Sequence, residues 1–326
     1  MRRWVWLAAV LLVGCEDNGS GKVGSGELED TADDFECVAT IAQIEPEDGT
    51  ESWYYLDPVL VTFTDDGREA TATLLDADGN EVPSSLVLSA ENLLGEVVAD
   101  DGLTGGESYT LQVEVCEDSG SAAFTTSVYG AGLDVEPEDL VGRTYIFDFG
   151  EASYLEPEGL TWALELYMNA PLLFGIQAAD ATSLDILLAQ GTLKNDGTYK
   201  QDTALQTWAF EGADFSAAPF FAADTESVTI DYSGIEIPFE DFHVEGTFAP
   251  DAESIGGGLV QAIADTRYMG PLLNLDDEVD SICNMAADLK VDCIECSDGN
   301  PYCLPFEAYL EEAPWQEDLA VEASEE

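Results

Sequence analysis

The chain has 326 residues, of which 68 are Asp or Glu and nine are Lys or Arg, so its formal net charge at pH 7 is −59. Nucleic acid phosphates and anionic lipid head groups repel such a polyanion, which excludes nucleic acid as a partner. The acidic residues are spread along the whole chain. That pattern favours a general surface property, such as tolerance of a saline habitat, over the alternative of diffuse low-affinity Ca²⁺ uptake.

The N-terminus has the pattern of a secretory signal peptide. Arg2 and Arg3 precede an apolar run over residues 4–13, which is shorter than the roughly 20 apolar residues of a membrane-spanning helix. The run ends in LVGC, with the small Gly14 directly before Cys15. This pattern resembles the lipobox of bacterial lipoproteins. The resemblance implies that residues 1–14 are removed and that Cys15 carries a lipid anchor; an ordinary signal peptide with an incidental cysteine is the alternative.

Residues 15–34 are predicted to be a flexible tether behind this anchor. Gly, Ser and acidic residues dominate the segment, and such a composition buries no apolar surface. A flexible chain of this length spans on the order of 25 Å. We therefore expect a cell-envelope protein whose partner is the membrane itself. Glu16 differs from the aspartate that retains some lipoproteins at the inner membrane, which favours the outer membrane.

Residues 35–130 contain short alternating segments separated by turn signals, as in an antiparallel β-sandwich. The predicted strands are 37–44, 58–64, 69–76, 84–89, 94–99, 108–115 and 121–128. The segments IEPEDG, VLVTFTD, LLDADGNEV, LTGGESYTLQV and FTTSVYG resemble the bacterial Ig-like domains of S-layer and other surface proteins. The resemblance covers this domain alone and implies an Ig-like fold for it.

Three local features of this domain have a chemical interpretation. Cys37 begins the first predicted strand and Cys116 ends the sixth, points that lie at the same end of an Ig topology, so a disulfide there would clasp the tether to the domain. A tyrosine corner is predicted over Leu103, Gly105, Gly106 and Tyr109, with a half-buried strand tyrosine as the alternative. A hairpin turn, rather than a Ca²⁺ loop, is predicted over Asp76, Asp78, Asn80 and Glu81.

After a linker over residues 131–139, residues 140–316 are predicted to form a β-rich domain with a curved or barrel-like sheet. Strands are expected over 142–149, 227–250 and 254–269, with bends or bulges at Gly246 and at the three glycines 256–258. A short helix is expected within 159–173, and buried segments over 172–178 and 183–190. Residues 194–225 look looser. The apolar segments could enclose a small apolar ligand, although plain core is the more ordinary interpretation.

The C-terminal part contains a predicted helix over residues 276–290, followed by a cysteine-rich stretch and, after residue 316, an acidic tail. The apolar face of this helix comprises Val279, Ile282, Cys283, Ala286 and Leu289. Outside the cytoplasm, disulfides are favoured over a zinc site for the four cysteines of this part. These cysteines are Cys283, Cys293, Cys296 and Cys303. Three connectivities stay open, and a Cys293–Cys296 bond is the least favoured because so small a ring is strained.

No residue set singles out a catalytic site, a metal site or a cofactor. The single histidine, His243, could act as a general base, but a structural residue on a strand is the favoured interpretation. Three functions therefore compete. The favoured one is a non-catalytic envelope lipoprotein in which an Ig-like spacer presents a β-rich domain to an envelope protein, a glycan or an apolar ligand. The others are a hydrolase that uses carboxylates of the second domain, and a Ca²⁺-dependent component of an envelope layer.

Overall fold

A computed structural model of the chain describes residues 36–168, 170–232, 234–275 and 278–324. The signal peptide, Cys15 and the tether lie outside the described residues, so those interpretations stay predictions. Within the described ranges, none of the helices combines the length and the apolar character that crossing a membrane requires.

The first unit is a two-sheet β-sandwich. Its strands are β1 (Ile41–Glu45), β2 (Thr50–Trp53), β3 (Val59–Phe63), β4 (Thr71–Leu75), β5 (Glu81–Val82), β6 (Ser84–Leu88), β7 (Leu94–Ala99), β8 (Ser108–Val115) and β9 (Asp118–Thr126). One sheet has the order β1-β3-β7-β6 and the other the order β2-β9-β8-β4-β5. This is the A-B-E-D and G-F-C division of an Ig fold, with β2 added in parallel to β9. The strand order thus supports the predicted Ig-like fold directly.

Alternating residues of the two sheets form the core of the sandwich. In β8, the side chains of Tyr109, Leu111, Val113 and Val115 are buried, and the residues between them face outward. The seven predicted strands are present. The structure adds β2 and β5, which are too short to show a clear alternation in sequence. Residues 46–52 are predicted from sequence to form a turn, but the backbone turns only before residue 50, where β2 begins.

Both predicted turns of the sandwich are confirmed by their hydrogen bonds. The backbone N–H of Thr104 donates to the hydroxyl of Tyr109 over 2.9 Å, which is the bond of a tyrosine corner. In the β4–β5 hairpin, Oδ1 of Asp76 accepts bonds from the backbone N–H groups of Asp78 and Asn80 at 2.9 Å and 2.8 Å. The side-chain amide of Asn80, together with these N–H groups, lowers the pKa of Asp76. The carboxylate is therefore used by its own turn.

The second unit is built on one ten-stranded sheet. Its elements are β10 (Thr144–Phe147), β11 (Ser153–Glu156), α1 (Thr161–Tyr167), β12 (Leu172–Ala179), β13 (Ser183–Leu193), β14 (Tyr199–Gln201), β15 (Thr207–Asp214), β16 (Phe220–Tyr232), β17 (Ile235–Phe248), β18 (Ser254–Asp265), α2 (Ser281–Asp288) and β19 (Cys303–Pro314). The strand order is β10-β12-β13-β15-β16-β17-β18-β19-β11, and β14 pairs with β13.

The large sheet curves around an aromatic core without closing into a barrel. Its first strand, β10, approaches the end of β19 through an isolated bridge between Tyr145 and Trp315. Inside the curve, aromatic rings pack against one another, with the ring centroids of Phe147 and Phe174 4.3 Å apart. The predicted β-rich fold with a curved sheet is confirmed.

Several elements of the second unit differ from the sequence predictions. The segment 194–225 is not loose, because it contains β14, β15 and the start of β16. The predicted C-terminal helix is shorter, since α2 covers only Ser281–Asp288, and Val279 precedes it with an exposed fraction of 53%. Leu289, at the other end of the predicted apolar face, is also exposed at 44%. The long strand β19 was missed because acids and prolines interrupt the pattern of its buried face.

The structure pairs the six described cysteines in three disulfides: Cys37–Cys116, Cys283–Cys293 and Cys296–Cys303. The two C-terminal bonds fix α2 and the following turn to the start of β19, so the predicted cysteine-stapled helical region is confirmed. The chain after residue 316, expected as an acidic tail, packs on the large sheet. Val321 is buried there beside Ile146 and Leu173.

Removing the Cys37–Cys116 disulfide should destabilise the sandwich strongly. The bond joins residues 79 positions apart, and closing a loop of this size restricts the unfolded chain by about 4 kcal/mol of free energy. We expect the double variant Cys37→Ser, Cys116→Ser to lose about this much free energy of unfolding in urea titrations.

The matched control is the double variant Cys296→Ser, Cys303→Ser, whose cysteines are only 7 positions apart. It should lose less free energy of unfolding, because the shorter loop restricts the unfolded chain less. Equal losses for the two double variants would contradict the loop-closure explanation.

Candidate functional site

The sandwich joins the second unit through two tyrosines at one end of the sandwich. Tyr54 follows β2, and its hydroxyl lies 2.7 Å from Oγ1 of Thr247 in a buried hydrogen bond. Tyr129 follows β9, and its hydroxyl lies 2.9 Å from Oγ of Ser254. Burial of the Tyr129 ring raises its pKa, so the hydroxyl stays protonated. Two polar bonds therefore fix the sandwich on strands β17 and β18.

Glycines of β18 make room for these tyrosine rings. A Cβ atom on Gly256 would overlap the ring of Tyr129, and a Cβ atom on Gly257 would overlap the ring of Tyr54. Gly257 also has a φ of +61°, in the left-handed region that favours glycine. The β17–β18 register shifts between Glu245 and Thr247, so the predicted bulge is present. The close approach of the tyrosine rings is a second reason why glycine is required at positions 256 and 257. The sequence alone did not indicate this contact.

A groove with a volume of about 950 Å³ lies beside this joint, and we call it the joint groove. One wall belongs to the sandwich and includes Gln43 and Glu45 of β1. The other wall belongs to the second unit and includes Ser153 and Leu155 of β11. Both β1 and β11 are edge strands, since each ends the strand order of its sheet. The groove thus runs between two sheet edges.

The joint groove is acidic and partly aromatic. The described part of its lining includes five carboxylates from both units and no Lys or Arg. These carboxylates are Glu45, Glu47, Asp57, Glu311 and Glu312. Trp53 and Tyr309 also line the groove. The charged side chains among the described lining residues are all acidic, so they make the field in the groove negative.

A smaller cavity of about 440 Å³ continues from the joint groove and shares Ser153, Tyr309, Glu311 and Glu312 with it. Asp148 lines this cavity and accepts a hydrogen bond from the hydroxyl of Tyr199. Burial, followed by that bond to Asp148, raises the pKa of Tyr199. The phenol is therefore a neutral donor, and the cavity adds further acidic surface to the groove.

Ser127 is a buried polar residue in the lining of the joint groove. It is 6% exposed, and its hydroxyl has no hydrogen-bond partner among the described residues. Both backbone groups of Ser127 are hydrogen-bonded: its N–H donates to the carbonyl of Trp53, and its carbonyl accepts from the N–H of Gly106. A buried hydroxyl without a partner loses its hydration without compensation. No pattern in the sequence pointed to this residue.

His243 lies away from the joint groove, on β17 beside β16. Its Nε2 is 3.3 Å from Oε2 of Glu245, and its Nδ1 is 2.7 Å from Oδ1 of Asp224. The bond to Glu245 raises the pKa of the imidazole, burial opposes this, and Asp224 raises it further. Both ring nitrogens are engaged by carboxylates, which supports the interpretation as a structural strand residue.

The structure explains the potential metal ligands by other contacts. Among the described residues, Asp265, Cys296 and Cys303 bring three potential ligand atoms together. The two sulfur atoms are joined in a disulfide, and the carboxylate of Asp265 binds the guanidinium of Arg267. The two sulfur atoms are therefore bonded to each other, and the carboxylate is paired with Arg267.

The hydrolase hypothesis expected carboxyl groups with raised pKa values in a cleft. Carboxylates of the second unit do meet in the joint groove and the smaller cavity, among them Asp148 and Glu311. The carboxyl pKa values that are shifted in the described part of the chain are lowered, as for Asp298, whose pKa of about 2 results from the N–H of Asn300 and from Arg267. The carboxyl groups with lowered pKa values stay ionised because backbone N–H groups of turns and neighbouring arginines bind the carboxylate.

Comparison with known proteins does not assign the chain to a family. No protein-family model matches it, and no curated protein matches it significantly. Among solved structures, an LD transpeptidase in complex with imipenem is 12% identical over 50% of this chain and 80% of its own, with a TM-score of 0.24. Three Ig domains of titin are 9% identical over 71% and 94%, with a TM-score of 0.21.

A third solved structure is an uncharacterized protein from Listeria monocytogenes in complex with glucose, magnesium and calcium. It is 11% identical over 68% of this chain and 21% of its own, with a TM-score of 0.17. At these TM-scores the similarities carry no argument, and the fold assignment depends on the strand order alone.

The variant Gly257→Ala should weaken the joint. The added methyl group would overlap the ring of Tyr54 and would also occupy a left-handed backbone position. The matched control is Gly212→Ala, because Gly212 has a φ of +67° but open space around its Cβ position. We expect Gly257→Ala to lose about 1–3 kcal/mol more free energy of unfolding than the control. Equal losses in urea titration would show that the tyrosine contact contributes nothing.

The ion pairs of His243 should stabilise the protein at low pH. Because the folded pKa is raised, their contribution is fully present below the unfolded pKa of about 6.5 and is lost as the pH rises through the folded pKa. We expect the variant His243→Gln to be less stable than the wild type at pH 5.5, with a smaller difference at pH 9. Thermal unfolding at both pH values measures this. A difference that grows with pH would contradict the assignment.

Proposed function

We propose that the protein is a lipid-anchored envelope protein in which the Ig-like sandwich is a rigid spacer for a non-catalytic β-rich unit. The observation that carries this proposal is the placement of the two attachment points of the sandwich. Cys37, the first cysteine after the predicted tether, lies at one end, and the second unit is fixed at the other.

The attachment points follow from strands β8 and β9. Cys37, the first cysteine after the tether, is bonded to Cys116 between the end of β8 and the start of β9. Tyr129, which contacts the second unit, follows the opposite end of β9. A strand of nine residues is about 30 Å long. The sandwich thus adds its whole length to the distance between the tether and the second unit.

The contacts at the joint support a fixed orientation of the second unit relative to the sandwich. Tyr54 and Tyr129 each make a hydrogen bond to the second unit, and each ring packs against a glycine of β18. In the connecting segment, the backbone N–H of Asp134 donates to the carbonyl of Pro250 over 2.8 Å. Leu133 and Val135 of the connecting segment also pack on the core of the second unit. A connection that is packed along its length holds the second unit in one orientation.

The anchor is tested by expressing the full chain in a bacterium and analysing the envelope fraction by intact-mass spectrometry. We expect a chain that begins at Cys15 and carries the mass of a diacylglycerol modification. The variant Cys15→Ser should lose this mass and leave the membrane fraction, whereas the control Ser20→Ala should keep both. A wild-type Cys15 that is free or bridged would overturn the anchor.

The rigid spacer is tested separately by spin labels introduced as non-cysteine amino acids. Val87 of the sandwich and Leu193 of the second unit suit this purpose, since they are 46% and 62% exposed. We expect one narrow distance distribution between them in the wild type and a broader one in Gly257→Ala. A broad wild-type distribution would overturn the spacer role while leaving the anchor intact.

A further inference from the structure

We propose that residues 317–324, which we call the strap, leave their place on the large sheet and bind the same place on a second copy of this chain. Two copies are thus linked by exchange of their straps. This inference goes beyond the spacer role and does not depend on the lipid anchor.

The strap lies in an apolar slot on the face of the large sheet that is turned away from the aromatic core. Val321 fills the slot and is 6% exposed. Four apolar residues of β10, β12 and β13 surround it: Ile146, Leu173, Leu187 and Ala189. A Cβ atom on Gly175 would lie only 2.8 Å from the Cβ of Val321, so a glycine makes room for the strap. The slot therefore fits a small branched side chain.

Side chains of the second unit bind the backbone of the strap. Nε2 of Gln201 donates to the carbonyl of Glu322 over 2.7 Å, and Oε1 of Gln201 accepts from the N–H of Glu322 over 2.8 Å. Oγ1 of Thr207 accepts from the N–H of Ser324 over 3.0 Å, and the N–H of Thr207 donates to Oγ of Ser324 over 3.2 Å. The slot thus recognises an extended peptide through backbone groups on the far side of one anchoring valine.

The strap is attached more loosely than the strand that precedes it. β19 pairs with β18 from Cys303 to Pro314. In the described part of the chain, by contrast, no backbone-to-backbone hydrogen bond joins residues 317–324 to the sheet. The strand order of the large sheet also does not include the strap. Release of the strap therefore uncovers the slot and Val321, while every strand pair of the sheet stays in place.

A second copy of the chain is the partner that fits the slot. The structure shows which segment the slot holds, and each copy carries that segment beside its own slot. Exchange of identical elements repeats the contacts of the closed form, so it is a route to a dimer with a low cost. The strap is acidic at Asp318 and Glu322, and the β13–β14 hairpin beside it carries Lys194 and Lys200. These lysines favour an acidic segment at this place.

The slot is tested with a labelled peptide that has the sequence of residues 316–324 and is blocked at both ends. Its binding to the full chain in a neutral detergent is measured by fluorescence anisotropy. In the wild-type chain the strap competes with the peptide, which lowers the apparent affinity by the fraction of open slots. The chain variant Val321→Asp releases its own strap, because a carboxylate in the apolar slot is unfavourable. We expect this variant to bind the peptide at least about tenfold more tightly than the wild type.

The matched control is the chain variant Ala320→Asp, which adds the same charge at the neighbouring exposed position of the strap. Its affinity for the peptide should stay close to that of the wild type. A peptide that itself carries Val321→Asp should not bind the open slot. Equal affinities of the Val321→Asp and Ala320→Asp chains for the unchanged peptide would overturn the proposal.

A second variant keeps the slot testable if the Val321→Asp chain fails to fold. A chain that ends at Gln316 lacks the strap and adds no charge to the slot, and it should also bind the peptide at least about tenfold more tightly than the wild type. Adding Gln201→Ala to this shortened chain removes both bonds to Glu322 and should weaken the peptide by about tenfold. Equal affinity with and without Gln201→Ala would overturn the assignment of the slot.

Exchange between copies is tested by co-purification of two full chains that carry different affinity tags. The chains are mixed in a large excess of detergent micelles at about 0.15 M salt, where the Debye length of about 8 Å limits repulsion between acidic surfaces. We expect the wild type to pair with the Val321→Asp chain, whose slot is open. Two Val321→Asp chains should stay separate, because neither carries a strap that fits. Pairing of two Val321→Asp chains, or peptide binding without pairing of copies, would overturn the second copy as the partner.

Discussion

The arrangement of the whole molecule depends on two aromatic rings that lie against a backbone without side chains. Tyr54 and Tyr129 reach β18 only because Gly256 and Gly257 carry no Cβ atom. Their hydroxyls then reach Thr247 and Ser254, so the rings exclude water and the hydroxyls keep their hydrogen bonds. Without this contact, only the connecting segment, through Leu133, Val135 and the bond from Asp134 to Pro250, would hold the two β-rich units together. With it, they share an orientation and form the joint groove.

The second constraint is the shortage of positive charge. The described arginines are held by oxygens close to them: Arg68 binds Asp66, and Arg267 binds Asp265 and Asp298. Arg143 donates to the carbonyl of Ala252 and lies 4.5 Å from the ring centroid of Trp315, beside the point where β10 approaches β19. The described arginines therefore hold turns and sheet ends in place, and none of them lines the joint groove.

The sequence predicted those parts of the fold that depend on local patterns. The alternation in β8, the turn chemistry of Asp76 and the corner at Tyr109 all concern residues close to one another in the chain, so they could be recognised. The strand β19 was missed because its acids and prolines interrupt the pattern of its buried face, and its register against β18 is a tertiary property. The joint groove was missed for the same reason, since its walls come from segments separated by more than one hundred residues. The one visible signal was the run of three glycines, which predicted a bulge but not the rings that cover it.

The disulfide between Cys37 and Cys116 has a mechanical consequence. Tension applied to the chain before Cys37 crosses the two sulfur atoms to Cys116 and continues along β9 to the joint, so the covalent path bypasses residues 38–115. Load along β9 passes through the covalent bonds of that strand, which its pairing with β8 keeps extended over its length. A pull on the chain before Cys37 therefore leaves most of the sandwich without load, and the strain concentrates where Tyr129 meets the second unit.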